Sequence, residues 1–103
     1  MTAPITYIPP RAIKRAAFFK RFTDAELEDM EFLALDDTTA GAAVRRQKAR
    51  LRMILSIIRA MELVDLDDAR LIAWVTLMET RGLLAAGRAN EILNTDPSIT
   101  EQA

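Results

Sequence analysis

Apolar side chains along this chain recur every three or four residues, which is the spacing of a helix with one buried face. The longest such stretch runs from about residue 40 to residue 63, lacks proline and predicts one long central helix. Thr38 or Thr39 is expected to cap its start, since both have side chains that accept an amide hydrogen bond. The apolar stripe of this helix consists of Val44, Leu51, Ile54, Leu55, Ile58 and Met61.

Two helices are predicted before the central one. Residues 11–22 have apolar positions at helical spacing, and the preceding proline fits the first turn of a helix. Thr23 and Glu26 have the spacing of a capping box, in which each side chain bonds the backbone amide of the other residue. A second helix should therefore begin after Thr23 and end near Leu35.

Two helices are also predicted after the central one. An amphipathic stretch covers about residues 69–80, and Asp65 or Asp67 is expected to cap it. Gly82 suits the left-handed backbone position just beyond a helix, so the chain should reverse there. A last short helix is expected over residues 85–93.

No stretch shows the alternation that predicts a β-strand. The expected fold is therefore all-α, a small bundle of four to five helices formed by a single domain at residues 11–93. Residues 1–10 hold three of the four prolines and no charge, which predicts an extended arm, and residues 94–103 predict a flexible polar tail. Tyr7 and Ile8 make the arm apolar, so it either lies loosely on its own domain or reaches a neighbouring subunit.

Aromatic side chains at helical spacing usually belong to the core. The tryptophan and the four phenylalanines are therefore expected to be buried; they are Trp74, Phe18, Phe19, Phe22 and Phe32. The helices nevertheless present more apolar edge than one small core can cover. Two pairs of apolar residues are candidates for a surface that is buried only on assembly; they are Leu63 and Val64, and Leu83 and Leu84.

The residue inventory argues against catalysis and against metal or cofactor binding. The chain contains no cysteine and no histidine, so it lacks thiolate nucleophiles, the usual general base and the commonest metal ligand. The acidic residues at 62, 65, 67 and 68 do not have the spacing of a calcium loop and fit helix capping better. We therefore expect no catalytic, metal or cofactor site.

Charged side chains fall in alternating blocks. Residues 11–22 and 44–59 are basic, whereas residues 23–37 and 62–68 are acidic. One interpretation is that neighbouring helices of opposite sign pair with each other, which favours the correct arrangement more than it adds stability. The other is that the central helix offers a basic surface to a partner, through Arg45, Arg46, Lys48, Arg50 and Arg52.

The expected partner is protein, either a second copy or a larger protein. Nucleic acid is less favoured, because only Gln47 in the basic stretch has the amide side chain typical of base recognition and the preceding segment is acidic. No apolar run is long enough to cross a bilayer, so no membrane partner is expected. The start of the sequence lacks the pattern of a secretion signal, which predicts a product of the cytoplasm.

Several short motifs resemble small proteins encoded among the virion and tail genes of tailed bacteriophages and prophages. The likeness covers about residues 20–93. Its opening is Arg21-Phe22-Thr23-Asp24-Ala25-Glu26, and it continues with Val64-Asp65-Leu66-Asp67-Asp68, Gly82-Leu83-Leu84 and Gly87-Arg88-Ala89-Asn90-Glu91-Ile92-Leu93.

The resemblance implies a phage-encoded helical protein made in the host cytoplasm, with incorporation into the virion as one outcome. The expected function is that of a non-enzymatic structural or assembly protein, such as a minor tail or virion component, acting through helix–helix contacts. The alternative is a phage-encoded regulator or inhibitor of a host protein. A nucleic-acid-binding accessory role is the third hypothesis.

Overall fold

The computed structural model describes residues 10–102 and is mainly helical, as the sequence predicts. Six helices and two short strands follow one another along this part of the chain. In chain order they are β1 (Ala12–Lys14), α1 (Arg15–Lys20), α2 (Asp24–Ala34), α3 (Ala42–Ala60), β2 (Leu63–Asp65), α4 (Ala69–Thr80), α5 (Arg88–Asn94) and α6 (Ile99–Gln102).

The capping box at the start of α2 is confirmed. The Thr23 hydroxyl accepts a hydrogen bond from the Glu26 amide at 3.1 Å, and the Thr23 amide donates to the Glu26 carboxylate at 2.8 Å. These two bonds satisfy amides that have no partner inside the helix. The end of α2 at Ala34 also agrees with the expected end near Leu35.

Helix α3 is long but shorter than predicted, and only its second half enters the core. It begins after Gly41, without a side-chain cap, so the predicted cap at Thr38 or Thr39 is wrong. The Thr39 hydroxyl instead donates to the Asp37 carboxylate. No side chain of residues 42–50 is buried, and Val44 is 45% exposed. The core-facing stripe therefore starts at Leu51.

The expectation of no strands is wrong. Strands β1 and β2 form an antiparallel pair in which Ile13 lies opposite Val64. Neither of these two side chains is exposed to solvent, so the pairing brings two β-branched residues into the core. As a result the predicted helix over residues 11–22 is reduced to α1, which begins at Arg15.

Helix α4 has the predicted bounds, but its cap is a different aspartate. The Asp68 carboxylate accepts from the amides of Arg70 at 2.8 Å and Leu71 at 3.3 Å. Asp65 accepts from the Asp67 amide instead, within the turn after β2. Beyond α4, Gly82 has the left-handed φ of 80°, as predicted.

One apolar core joins all elements from β1 to α5. Its largest fully buried side chains include Phe18, Met30, Ile54, Leu71 and Ile92. The prediction of burial is wrong for Phe32, which is 69% exposed on α2.

The apolar doublets also differ from expectation. Leu83 and Leu84 are only 8% and 2% exposed, and Val64 is fully buried. They are therefore part of the chain's own core and not a separate exposed apolar surface. Leu63 alone among the four is exposed, at 41%.

Residues that the sequence assigns to a flexible tail include helix α6, which contacts the N-terminal part of the domain. The Arg21 guanidinium binds the Glu101 carboxylate through two hydrogen bonds of 2.8 and 3.0 Å. The Gln102 amide side chain donates to the Pro10 carbonyl at 2.8 Å. The two ends of the described chain therefore meet.

Candidate partner-binding groove

A groove opens where the end of α2, the first half of α3 and the end of α4 come together. It encloses about 220 Å³. Its floor is made of side chains that belong to the core, namely Leu51, Ile54, Met78 and Leu83. The groove therefore presents apolar surface directly above the core of the domain.

The rim of the groove combines apolar and basic side chains. Leu33 from α2 and Val44 from α3 are 40% and 45% exposed along one part of it. Lys48 and Arg81 add positive charge. An occupant with apolar side chains and negative charge would match both parts of this rim.

Three of the five basic residues predicted to bind a partner are instead held by α2 and the segment after it. Arg45 forms two hydrogen bonds with the Asp36 carboxylate, at 3.0 and 2.8 Å. Lys48 donates to the Leu33 carbonyl at 3.3 Å, and Arg52 donates to the Ala34 carbonyl at 2.6 Å. The last two side chains satisfy carbonyl groups at the end of α2, where positive charge is also favoured by the helix dipole.

The Arg45–Asp36 pair shows how the charge blocks meet within one chain. The hydrogen bond from Arg45 lowers the pKa of Asp36, and the same contact raises the pKa of Arg45. A second ion pair joins Arg59 of α3 to Glu31 of α2. The predicted pairing of the acidic and basic blocks is thus present between α2 and α3.

Arg46 and Arg50 remain as the free part of the basic stretch. Neither forms an ion pair or a side-chain hydrogen bond with any residue between 10 and 102, and both are exposed. They lie four residues apart on one face of α3, and together with Gln47 and Arg81 they line a shallow depression beside the groove. The structure therefore gathers three arginines at one place.

Arg81 is not among the residues that the sequence predicts to bind a partner. Its position beside Arg46 depends on how α4 lies against α3, and no local pattern encodes that arrangement. We use the term arginine cluster for Arg46, Arg50 and Arg81. The other predicted contact residues, Tyr7 and Ile8, lie outside the described residues.

The outer face of α2 is a second unusual surface. Phe32 and Leu35 are 69% and 62% exposed, and Glu28 and Asp29 are exposed one turn earlier. Neither acid forms an ion pair within the part of the chain that the structure describes. We call these four residues the α2 ridge.

In residues 10–102 no group of three acidic residues is arranged to hold a metal ion, and no helix is long and apolar enough to cross a membrane. No protein-family model, curated protein or solved structure matches this chain. The groove, the arginine cluster and the α2 ridge are the surfaces on which a partner could bind.

Proposed function

We propose that this chain is a non-enzymatic interaction protein whose groove binds an acidic, amphipathic segment of a protein partner. The observation that carries the proposal is the position of the arginine cluster, which has no acidic partner among residues 10–102, beside a groove with an apolar floor. A groove with an apolar floor and a basic rim is suited to bind a helix that has one apolar and one acidic face.

The exposed first half of α3 supports this proposal. Residues 42–50 contain no buried side chain, although they belong to a continuous helix that carries Val44. At the same end of the molecule Leu33, Phe32 and Leu35 are also exposed. Exposed apolar side chains gathered in one region mark interaction surfaces more often than isolated ones do.

A protein partner fits better than nucleic acid. Among residues 10–102 no aromatic side chain lines the groove, so this part of the chain offers no platform there on which bases could stack. The apolar floor and the exposed Leu33 and Val44 of the rim suit the apolar side chains of a protein, which a phosphate backbone does not offer. Three arginines alone could bind phosphate, so nucleic acid is kept as one outcome of the test below.

The biological setting that we propose is the assembly or structure of a tailed phage. The resemblance over residues 20–93 supports it, as does the groove, because virion components work by contact with larger proteins. In this setting the helices act as a small bundle that presents the α2–α3 end to a partner. A regulator that binds a host protein would use the same surface.

The proposal can be tested with two synthetic peptides. Both are amphipathic helices of about 15 residues with identical leucine positions, and one carries glutamate where the other carries lysine. Fluorescence anisotropy should show that the acidic peptide binds and the lysine peptide does not. The variant Arg46→Glu/Arg50→Glu should weaken binding at least about tenfold.

A matched control changes the same amount of charge elsewhere. Lys14 and Lys20 are exposed, lie away from the groove and form no ion pair in residues 10–102, so Lys14→Glu/Lys20→Glu should leave binding within about twofold. Equal binding of both peptides, or equal loss in both variants, would contradict the proposal. Binding of duplex DNA at low salt that is lost only in Arg46→Glu/Arg50→Glu, without peptide binding, would favour nucleic acid.

The phage setting needs a separate measurement. Mass spectrometry of purified particles from a phage or prophage that carries the gene should detect the chain if it is a virion component. If it is an assembly factor, deletion of the gene should reduce the yield of complete particles. Normal particles that lack the chain, obtained at normal yield after deletion, would refute this setting and favour the host regulator.

A further inference from the structure

We propose that the occupant of the groove is a second copy of this chain, which inserts its α2 ridge. The inference rests on the proposed function, because it takes the groove as a site for an acidic apolar segment and names that segment. It is drawn from the geometry of α2 and from the charges that remain unpaired within one copy.

The α2 ridge has the shape of a helical binding face. Glu28 and Phe32 are four residues apart and lie on one side of α2, and Leu35 follows directly after the helix, three residues on from Phe32. The buried residues Met30 and Ala34 lie on the opposite side of α2. The ridge therefore points away from its own domain. Among the large apolar side chains of residues 10–102, only Ile99 is more exposed than its Phe32 and Leu35.

The charges left unpaired on the two surfaces have opposite signs. On α2, Glu31 is used within the chain by Arg59, whereas Glu28 and Asp29 form no ion pair in the described part of the chain. On the basic side, Arg45 is used by Asp36, whereas the arginine cluster has no acidic partner in residues 10–102. A second copy supplies to each surface the charge that residues 10–102 of its own chain do not.

The two surfaces also adjoin each other. Leu33 lines the groove, and the next residue back along α2 is Phe32 of the ridge. In a two-fold dimer each copy contributes the same patch to both contacts, so ridge and groove must lie side by side on that patch. The ridge and the groove both include residues at the C-terminal end of α2, so they meet this requirement. Two copies related in this way would bury both ridges and both arginine clusters.

The oligomeric state gives the test. Sedimentation equilibrium over a series of protein concentrations should show a monomer–dimer equilibrium for the natural sequence. Phe32→Asp changes only the ridge, and Arg46→Glu/Arg50→Glu changes only the arginine cluster. Each variant should raise the dimer dissociation constant at least about tenfold. Because all three positions are exposed, circular dichroism should show unchanged helix content in both variants.

Ile99→Asp provides the control for the loss of an exposed apolar side chain. Ile99 is 88% exposed on α6, away from both surfaces, so this variant should dimerise like the natural protein. Mixing the ridge variant with the arginine variant should restore one contact, because the intact α2 ridge of one meets the intact groove of the other. A heterodimer tighter than either homodimer is the expected result.

The outcomes separate this inference from the proposed function. A chain that stays monomeric up to about 1 mM, yet binds the acidic peptide, overturns the second copy as occupant and leaves the groove as a site for another protein. A dimer that is insensitive to both variants also overturns it. If the chain neither dimerises nor binds the peptide, the proposed function fails as well.

Discussion

Replacement of Arg88 by methionine should destabilise the domain by removing the guanidinium that joins α5 to the start of α2. Arg88 donates to both carboxylate oxygens of Glu26, at 2.9 and 2.8 Å, and to the Arg21 carbonyl at 2.9 Å. It also donates to Glu91 at 2.8 Å. Methionine keeps much of the apolar stem, so the change isolates the polar contacts.

The expected decrease in the free energy of unfolding follows from the exposure of the two acidic partners of Arg88. The Glu26 side chain is 13% exposed and that of Glu91 is 63% exposed, so only the first contact is shielded from water. An exposed pair such as Arg88–Glu91 contributes at most about 0.5 kcal/mol. Leaving a shielded carboxylate without its cation costs about 3–5 kcal/mol when burial is complete. Glu26 is only partly buried and retains its bond from the Thr23 amide, so we expect a loss of about 2 kcal/mol.

Urea unfolding followed by circular dichroism and by Trp74 fluorescence measures this loss. With a slope of about 1.5 kcal/mol per molar urea, the midpoint should fall by about 1.3 M. Glu91→Gln serves as the control and should move the midpoint by less than about 0.4 M. If the urea midpoint of Arg88→Met lies within about 0.4 M of that of the natural sequence, the contact with Glu26 does not stabilise the domain and the reasoning is refuted.

Three further predictions concern caps, pH and the turn after α4. Asp68→Ala should lower the free energy of unfolding by about 1 kcal/mol through loss of the α4 cap, and an equal effect from the exposed Asp96→Ala would contradict this. Hydrogen bonds from Arg88 and Arg21 hold the pKa values of Glu26 and Glu101 below their ordinary value of 4.5, so the unfolded chain binds more protons in acid. The free energy of unfolding should therefore fall as the pH drops below about 4.5. Urea midpoints measured across this pH range should fall less in Glu26→Gln/Glu101→Gln than in the natural sequence, and an equal fall in both would show that these two carboxylates are not the cause. Gly82→Ala should cost about 1–2 kcal/mol in thermal unfolding because of the φ of 80°, whereas Gly82→Asn should cost less; equal losses would exclude backbone conformation as the cause.

The features that the sequence predicted well depend on residues close together along the chain. Thr23 and Glu26 are three residues apart, so their capping box can be recognised from the local sequence. The bounds of α4 follow from its own apolar spacing. Gly82 marks the end of α4 because its backbone conformation is a local property.

The features that the sequence did not reveal depend on residues far apart. The β1–β2 pair joins Ile13 to Val64, and strands of three residues are too short to show an alternating pattern. Arg52 donates to a main-chain carbonyl at the end of α2. Because every residue has a main-chain carbonyl, no sequence pattern can identify which one an arginine will bind. Phe32 was assigned to the core by residue type, although its place on α2 is opposite the buried face.

The same is true of the candidate site. Arg46 and Arg50 could be selected from the sequence because they lie in a basic stretch. Arg81 joins them only through the approach of α4 to α3, and Leu33 reaches the groove only because α2 packs against α3. Sequence reasoning thus found one side of the site and not the surfaces that complete it.

The pairing of β1 with β2 also sets an order for folding during synthesis. A ribosome makes the chain from its N-terminus at about 5–20 residues per second, so β1 is complete well before its partner strand exists. Arg21 can bind the Ile92 carbonyl and the Glu101 carboxylate only later, when those residues have been made. The first segment of the domain therefore lacks its strand partner until residue 65 has been made, and Arg21 lacks the Glu101 contact until nearly all of residues 10–102 have been made. Helices α2 and α3, which are neighbours along the chain, are the parts able to associate before then.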